Sequence, residues 1–216
     1  MSRTYTIDGQ KLPSVTTVLD LLDKGIGLQK WIANLGWGES RRIFKASGER
    51  GGRVHSYIQA AIGGTAGPAK VEEGDAPYVA GFMSLQTDII SKLTIEKSES
   101  EKTVACKTCG YAGTLDYFLV FRRHERPRRT ALVDWKTSSK IRDEVAIQTA
   151  AYLHAYFTSK GASCKRADKL ARGVERWCFR FTEDGSYEGR RYYDYDADFS
   201  CFKALLVVYK WRKEVC

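Results

Sequence analysis

The chain reads as a single α/β domain, a mixed sheet of about five strands with helices on both sides. Three observations carry this. Helical periodicity dominates residues 13–93, β-branched and aromatic runs take over near residue 103, and one strongly periodic helix at 141–159 separates two groups of strands. The 216 residues suffice to bury one full core. The domain spans 1–216, with a helical part at 13–93, a core at 94–193 and a terminal helix at 196–213.

Ser14 precedes the run Val15–Asp23 and can accept from the orphan amides of a first helical turn. A second helix is predicted over Lys30–Lys45, carrying Trp31 and Trp37. Gly48, Gly51 and Gly52 should break it, so that a new helix begins near Arg53. Residues 63–77, rich in Gly and Ala with two prolines, read as a loop. Pro77 then opens a helix to about Leu93, with Val79, Phe82, Met83, Ile89 and Ile90 on its apolar face. Strands follow at Thr103–Cys106, Tyr111–Phe121 and Thr130–Trp135, joined by turns at 107–110 and 122–129. The helix Ile141–Ser159 places Ala146, Ala150, Leu153 and Phe157 on one face. Two more strands, Val174–Thr182 and Tyr187–Tyr193, meet at a turn containing Gly185, and a helix runs over Ala197–Lys213.

Composition excludes several classes. Hydrophobic residues at 43% and charged residues at 28% argue against disorder. No apolar run approaches the roughly 18–20 residues that span a bilayer, and the N-terminus lacks the apolar segment of a secretory signal. The expectation is a cytoplasmic protein, of a bacterial or phage-infected cell, without membrane contact. A net charge of +9 favours polyanionic partners, although a basic surface also serves solubility. Basic residues cluster at 122–129 and 165–176.

Six cysteines occupy 106, 109, 164, 178, 201 and 216, and reduced thiols are expected in the cytoplasm. Cys106 and Cys109 have the spacing of a zinc knuckle, but no second such pair exists and His124 has no partner histidine. A hairpin turn with two incidental thiols is the reading adopted.

The hairpin of Tyr111–Phe121 with Thr130–Lys136 turns near residue 125, so antiparallel partners have numbers summing to about 250. Asp116 then faces Asp134, and Lys136 shares the face of Asp134. Two opposed carboxylates repel unless something offsets them. A divalent cation does so, and Mg²⁺ or Mn²⁺ suits oxygen donors, acidifies a water and neutralises charge on a phosphate. Lys136 stands where it could orient that water or stabilise a transition state. A plain ion pair is the alternative. Against it, Asp134 interrupts the apolar Ala131–Trp135, where a lone carboxylate is costly. Gln148 and Tyr152, at i and i+4, project from one helix face within reach.

Gly113-x-x-Asp116, Asp134-x-Lys136-Thr137-Ser138 and Gln148-x-x-x-Tyr152, over roughly Pro13–Tyr156, resemble the PD-(D/E)XK nuclease superfamily. The nearest look-alikes are its RecB-type exonucleases: phage, CRISPR-adaptation and mitochondrial genome maintenance enzymes. The resemblance implies a restriction-endonuclease-like fold and a metal-dependent DNA exonuclease acting at DNA ends. It implies metal ligation by Asp116, Asp134 and the Trp135 carbonyl, with Lys136 catalytic and Gln148 and Tyr152 completing the site. His55 resembles the metal-ligating histidine of that branch, and Glu101, with Glu99 behind it, matches a strand glutamate that often joins such sites.

Some relatives hold an iron–sulfur cluster through one early and three late cysteines. No cysteine precedes 106 here, so none is expected. No P-loop motif is present, so a helicase, recombinase or single-strand-binding partner would have to supply unwound DNA. Trp31, Trp37 and Phe44 could stack on single-stranded bases or simply fill the core. Arg53, Thr137 and Ser138 are further candidate DNA contacts. Three rival readings stay open: a structure-dependent endonuclease of the same fold, a nucleic-acid-binding module with a vestigial site, and a zinc-knuckle adaptor.

Overall fold

Asp8 and Gly9, with φ of 48° and 80°, turn the chain between β1 (Thr4–Ile7) and β2 (Gln10–Pro13). The sequence reading assigned no element before Pro13, although Asp-Gly between alternating residues is a strong hairpin signal. The structure, a computed structural model, describes residues 3–63, 71–124 and 126–215. Residues 64–70 of the expected 63–77 loop lie outside these, and a short 3-10 turn occupies Glu73–Asp75.

Ser14 caps α1 (Val15–Leu19) by accepting from the Thr17 amide at 2.9 Å, as expected, but the helix stops at Leu19 rather than Asp23. The next two helices correct the sequence reading. The chain breaks at Gly36, with φ of 79°, between α2 (Ile26–Leu35) and α3 (Trp37–Ile62), and α3 runs unbroken through Gly48, Gly51 and Gly52. Contacts from outside hold those glycines helical. Val54 and Ile58 bury against the sheet, Arg50 donates to the Thr137 carbonyl, and a Cβ on Gly51 would lie 3.4 Å from Thr137 Oγ1. Packing overrides propensity. Helix α4 (Ala76–Asp88) carries Pro77 in its first turn, as expected, but ends at Asp88 rather than near Leu93, and a 3-10 turn at Ile90–Lys92 follows it.

Five strands form the main sheet in sequence order: β3 (Thr94–Cys106), β4 (Tyr111–Arg122), β5 (Arg129–Lys136), β6 (Glu175–Phe181) and β7 (Tyr187–Tyr192). All pairs are antiparallel except β5–β6, whose crossover carries α5 (Glu144–Ser159) and α6 (Cys164–Ala171). The first half of β3 is an edge strand of alternating Lys, Ser and Glu, a composition that discourages pairing with other chains and gave no apolar period to read. Helix α6 escaped notice because it buries just Ala167 and Ala171 among basic residues. The last helix, α7, spans Tyr195–Val215.

Helices cover both faces, as an α/β mixed sheet requires. On one, α1, α5 and α7 pack against Leu115, Phe118, Val120 and Leu132. On the other, α3 and α4 pack against Tyr117, Leu119, Val133, Trp135 and Phe181. No helix among the described residues is long and apolar enough to cross a membrane.

Candidate active site

The β4–β5 ladder runs from Phe121↔Arg129 to Tyr117↔Val133, the register anticipated from the hairpin. It carries Asp116 and Asp134 to the next step, where the backbone pairing gives way to side chains. Asp116 Oδ2 accepts from the Trp135 amide at 2.8 Å. Asp134 is 1% exposed and meets Lys136 Nζ at 2.6 Å. Helix α5 supplies the rest: Gln148 Nε2 donates to Asp134 Oδ1 at 3.0 Å and to the Tyr152 hydroxyl at 3.1 Å. Lys136 Nζ also lies 3.5 Å from Gln148 Oε1.

His55 and Glu101 approach from α3 and β3. Glu101 has φ of 48°, interrupting the ladder between Ser100↔Tyr117 and Lys102↔Leu115. His55 Nδ1 lies 3.3 Å from Glu101 Oε1 and 3.8 Å from Asp116 Oδ1, while Nε2 is 3.1 Å from the Trp135 carbonyl oxygen. One donor atom from each of His55, Glu101 and Asp116 lies within 4.8 Å of the others. Two carboxylates and an imidazole beside the Trp135 carbonyl suit a hard divalent ion. Asp134 stands next to this trio, held by Lys136 and Gln148.

Burial and mutual charge shift the titration of His55, Asp116 and Lys136. Burial, and then the charge of Asp134, push the Asp116 carboxyl up to about 7, against the pull of His55 and Lys136. Burial alone would lower the His55 imidazolium, but Asp116 and Glu101 outweigh it and raise the group to about 9. Lys136 loses hydration too, yet Asp134 and Asp116 hold its ammonium above the ordinary lysine range. Burial and the same two aspartates keep the Tyr152 phenol protonated. Protons here sit where a cation would relieve the same carboxylates.

The glycine of Gly113-x-x-Asp116 has a steric reason. A Cβ there would lie 2.5 Å from Tyr152 Cε1 and 3.1 Å from Cδ1, so the bare backbone admits the phenol ring that supports Gln148. Sequence reasoning missed two neighbours. Cys178, on β6, places its thiol 3.8 Å from Asp134 Oδ2, and Arg50 anchors α3 to the end of β5. Neither belongs to a recognisable spacing pattern.

The other candidates divide. Ser138 lines an open cleft of about 1400 Å³, together with Trp31 and Phe44. Those two rings meet at 5.3 Å, inclined at 55°, with Phe44 45% exposed and Trp31 half-buried, so neither lies in the core. Trp37 is more exposed still at 67%, with Arg41 over its ring. Thr137 is buried under α3. The structure does not bring Arg53 into this group. It is committed to Asp75, at 2.6 and 2.9 Å, and to Glu72. Glu99 is likewise drawn away, to Tyr156, Lys160 and Lys102. Much of the basic 165–176 segment is structural: Arg176 is buried on Asp198 and Arg172 pairs with Asp196.

No known family model and no curated protein matches the chain. Among solved structures it is weakly similar to an alkaline exonuclease from Laribacter hongkongensis, at 13% identity and a TM-score of 0.32, over 94% of this chain and 92% of that one.

Proposed function

We propose that this chain hydrolyses phosphodiester bonds in DNA, using Mg²⁺ or Mn²⁺ held by Asp116, Glu101, His55 and the Trp135 carbonyl, with Asp134 beside them. The observation that carries the reading is the meeting of His55, Glu101 and Asp116 at one point, with the Asp134–Lys136–Gln148 group adjoining. When bound, the cation supplies Lewis-acid stabilisation of the phosphate and acidifies a water. Lys136 places a fixed ammonium where charge develops on the phosphate, pre-organised by Asp134 and Gln148. Gln148 and Tyr152 fix the orientation of that pair. Trp31 and Phe44, which line the same cleft as Ser138, offer ring faces on which unpaired bases can stack, and the net charge of +9 attracts the strand.

Within this reading, an exonuclease acting at DNA ends is favoured over a structure-dependent endonuclease. The resemblance of the motif set to RecB-type exonucleases supports it. Labelled linear and circular DNA, single- and double-stranded, incubated with Mn²⁺ or Mg²⁺ provides the test. Linear substrates should shorten from their ends and circles survive. Chelator, or Asp116→Asn, should abolish cleavage. Activity that ignores both would refute the proposal, and nicked circles would move it to the endonuclease.

A further inference from the structure

The turn between β3 and β4, read from sequence as holding two incidental thiols, has partners that the linear spacing hides. Cys106 and Cys109 flank it, and the crossover between β5 and β6 brings His154 from α5 and Cys164 from the start of α6 against them. The Sγ atoms of Cys106 and Cys164 lie 3.9 Å apart, those of Cys109 and Cys164 4.0 Å, and Cys109 Sγ is 3.9 Å from His154 Nε2. All four donor atoms fall within 4.8 Å of one another. A tetrahedral zinc with Zn–S of about 2.3 Å and Zn–N of about 2.0 Å spaces its ligands about 3.8 Å (S to S) and about 3.5 Å (S to N) apart.

We propose that Cys106, Cys109, His154 and Cys164 bind one structural Zn²⁺. The surroundings are those of a ligand set. His154 is 1% exposed, and its Nδ1 lies 2.9 Å from Asp168, which also accepts from the Tyr195 hydroxyl at 2.8 Å. That carboxylate fixes the tautomer, leaving Nε2 as a lone pair aimed at the three sulfurs, the outer-shell arrangement typical of zinc-bound histidine. At 3.9 Å, Cys109 Sγ is a poor hydrogen-bond partner for a buried ring nitrogen. The Cys109 amide donates to Cys106 Sγ at 3.3 Å, stabilising a thiolate, and Gly110, with φ of 80°, closes the turn. Cys164 is the first residue of α6, which carries its thiol to the turn.

Four protein ligands close the coordination sphere, so the role is structural. Three thiolates and one imidazole select zinc over the hard ions suited to the carboxylate site. The ion would tie the tip of the β3–β4 hairpin to α5 two residues beyond Tyr152. It stands independently of the nuclease reading.

Protein expressed with added zinc, with any polyhistidine tag removed, should hold one zinc per chain by mass spectrometry. Cys164→Ser and His154→Gln should each lose most of it, while Asp116→Asn, at the other site, should keep it. Exchange with Co²⁺ in the parent chain gives an answer even if those variants misfold, because thiolate ligation produces intense charge-transfer absorption and tetrahedral visible bands. Thiols should react with a disulfide reagent far faster after chelation than before. Four outcomes would each overturn the assignment: zinc-free folded protein with freely reactive thiols, an iron–sulfur chromophore, full zinc in Cys164→Ser, or a Co²⁺ form lacking sulfur charge transfer.

Discussion

Replacing Lys136 by Met separates what the buried ion pair does for the fold from what it does for catalysis. Asp134 is almost wholly buried, and its strongest partner is the Lys136 ammonium at 2.6 Å. Removing one member of such a pair costs about 3–5 kcal/mol, because the other charge stays behind without compensation. Here the Gln148 amide still donates at 3.0 Å, which places the expected loss near the lower limit, about 3 kcal/mol. In a domain of this size that lowers the melting temperature by about 6–12 °C. Asp134→Asn combined with Lys136→Met removes both charges and should recover most of the stability, since the Asn oxygen can still accept from Gln148. Cleavage should fall by at least about 100-fold in both proteins, because neither retains the cation aimed at the phosphate. Urea unfolding and initial rates on labelled single-stranded DNA, both with Mn²⁺, measure the two effects. A single variant less than about 1 kcal/mol below the parent, or a double variant that cleaves normally, would refute the reasoning.

Gly113→Ala should cut cleavage by about 10- to 100-fold and destabilise by about 1–3 kcal/mol, since its new methyl must displace the Tyr152 ring. An unchanged rate would show that the ring position is immaterial. The metal-free protein should lose stability as pH rises from 6.5 to 9. Over that range the unfolded chain has released the His55 proton while the fold retains it up to about 9. His55→Gln should lack this slope, and Mn²⁺, which competes with the proton, should flatten it in the parent; parallel melting curves against pH would count against the charge balance drawn here.

Several features of the site were legible because they are local. The hairpin register follows from counting residues out from its turn, so Asp116 and Asp134 were set opposite one another before any coordinates. Lys136 follows Asp134 by one strand period and Tyr152 follows Gln148 by one helical turn, and short-range geometry alone brings each pair to one face. The burial of Asp134 was likewise readable from the apolar run it interrupts.

Other features depend on partners far away in the chain. Arg53 looked free for DNA until the fold brought Asp75 to it. Gly48, Gly51 and Gly52 predicted a break, yet α3 runs through them, with Arg50 tied to the Thr137 carbonyl 87 residues on. The aromatics of α2 and α3 have the same spacing whether they fill a core or line a cleft. His154 and Cys164 stand 45 and 58 positions from the cysteines they meet, with no repeat to announce the pairing. Sequence determined the register of the β4–β5 hairpin and the acidic pair on it, because backbone periodicity acts over a few residues. Tertiary structure decided which charges are spent on one another and which donors converge, because that depends on how the crossover and the helices pack on the sheet.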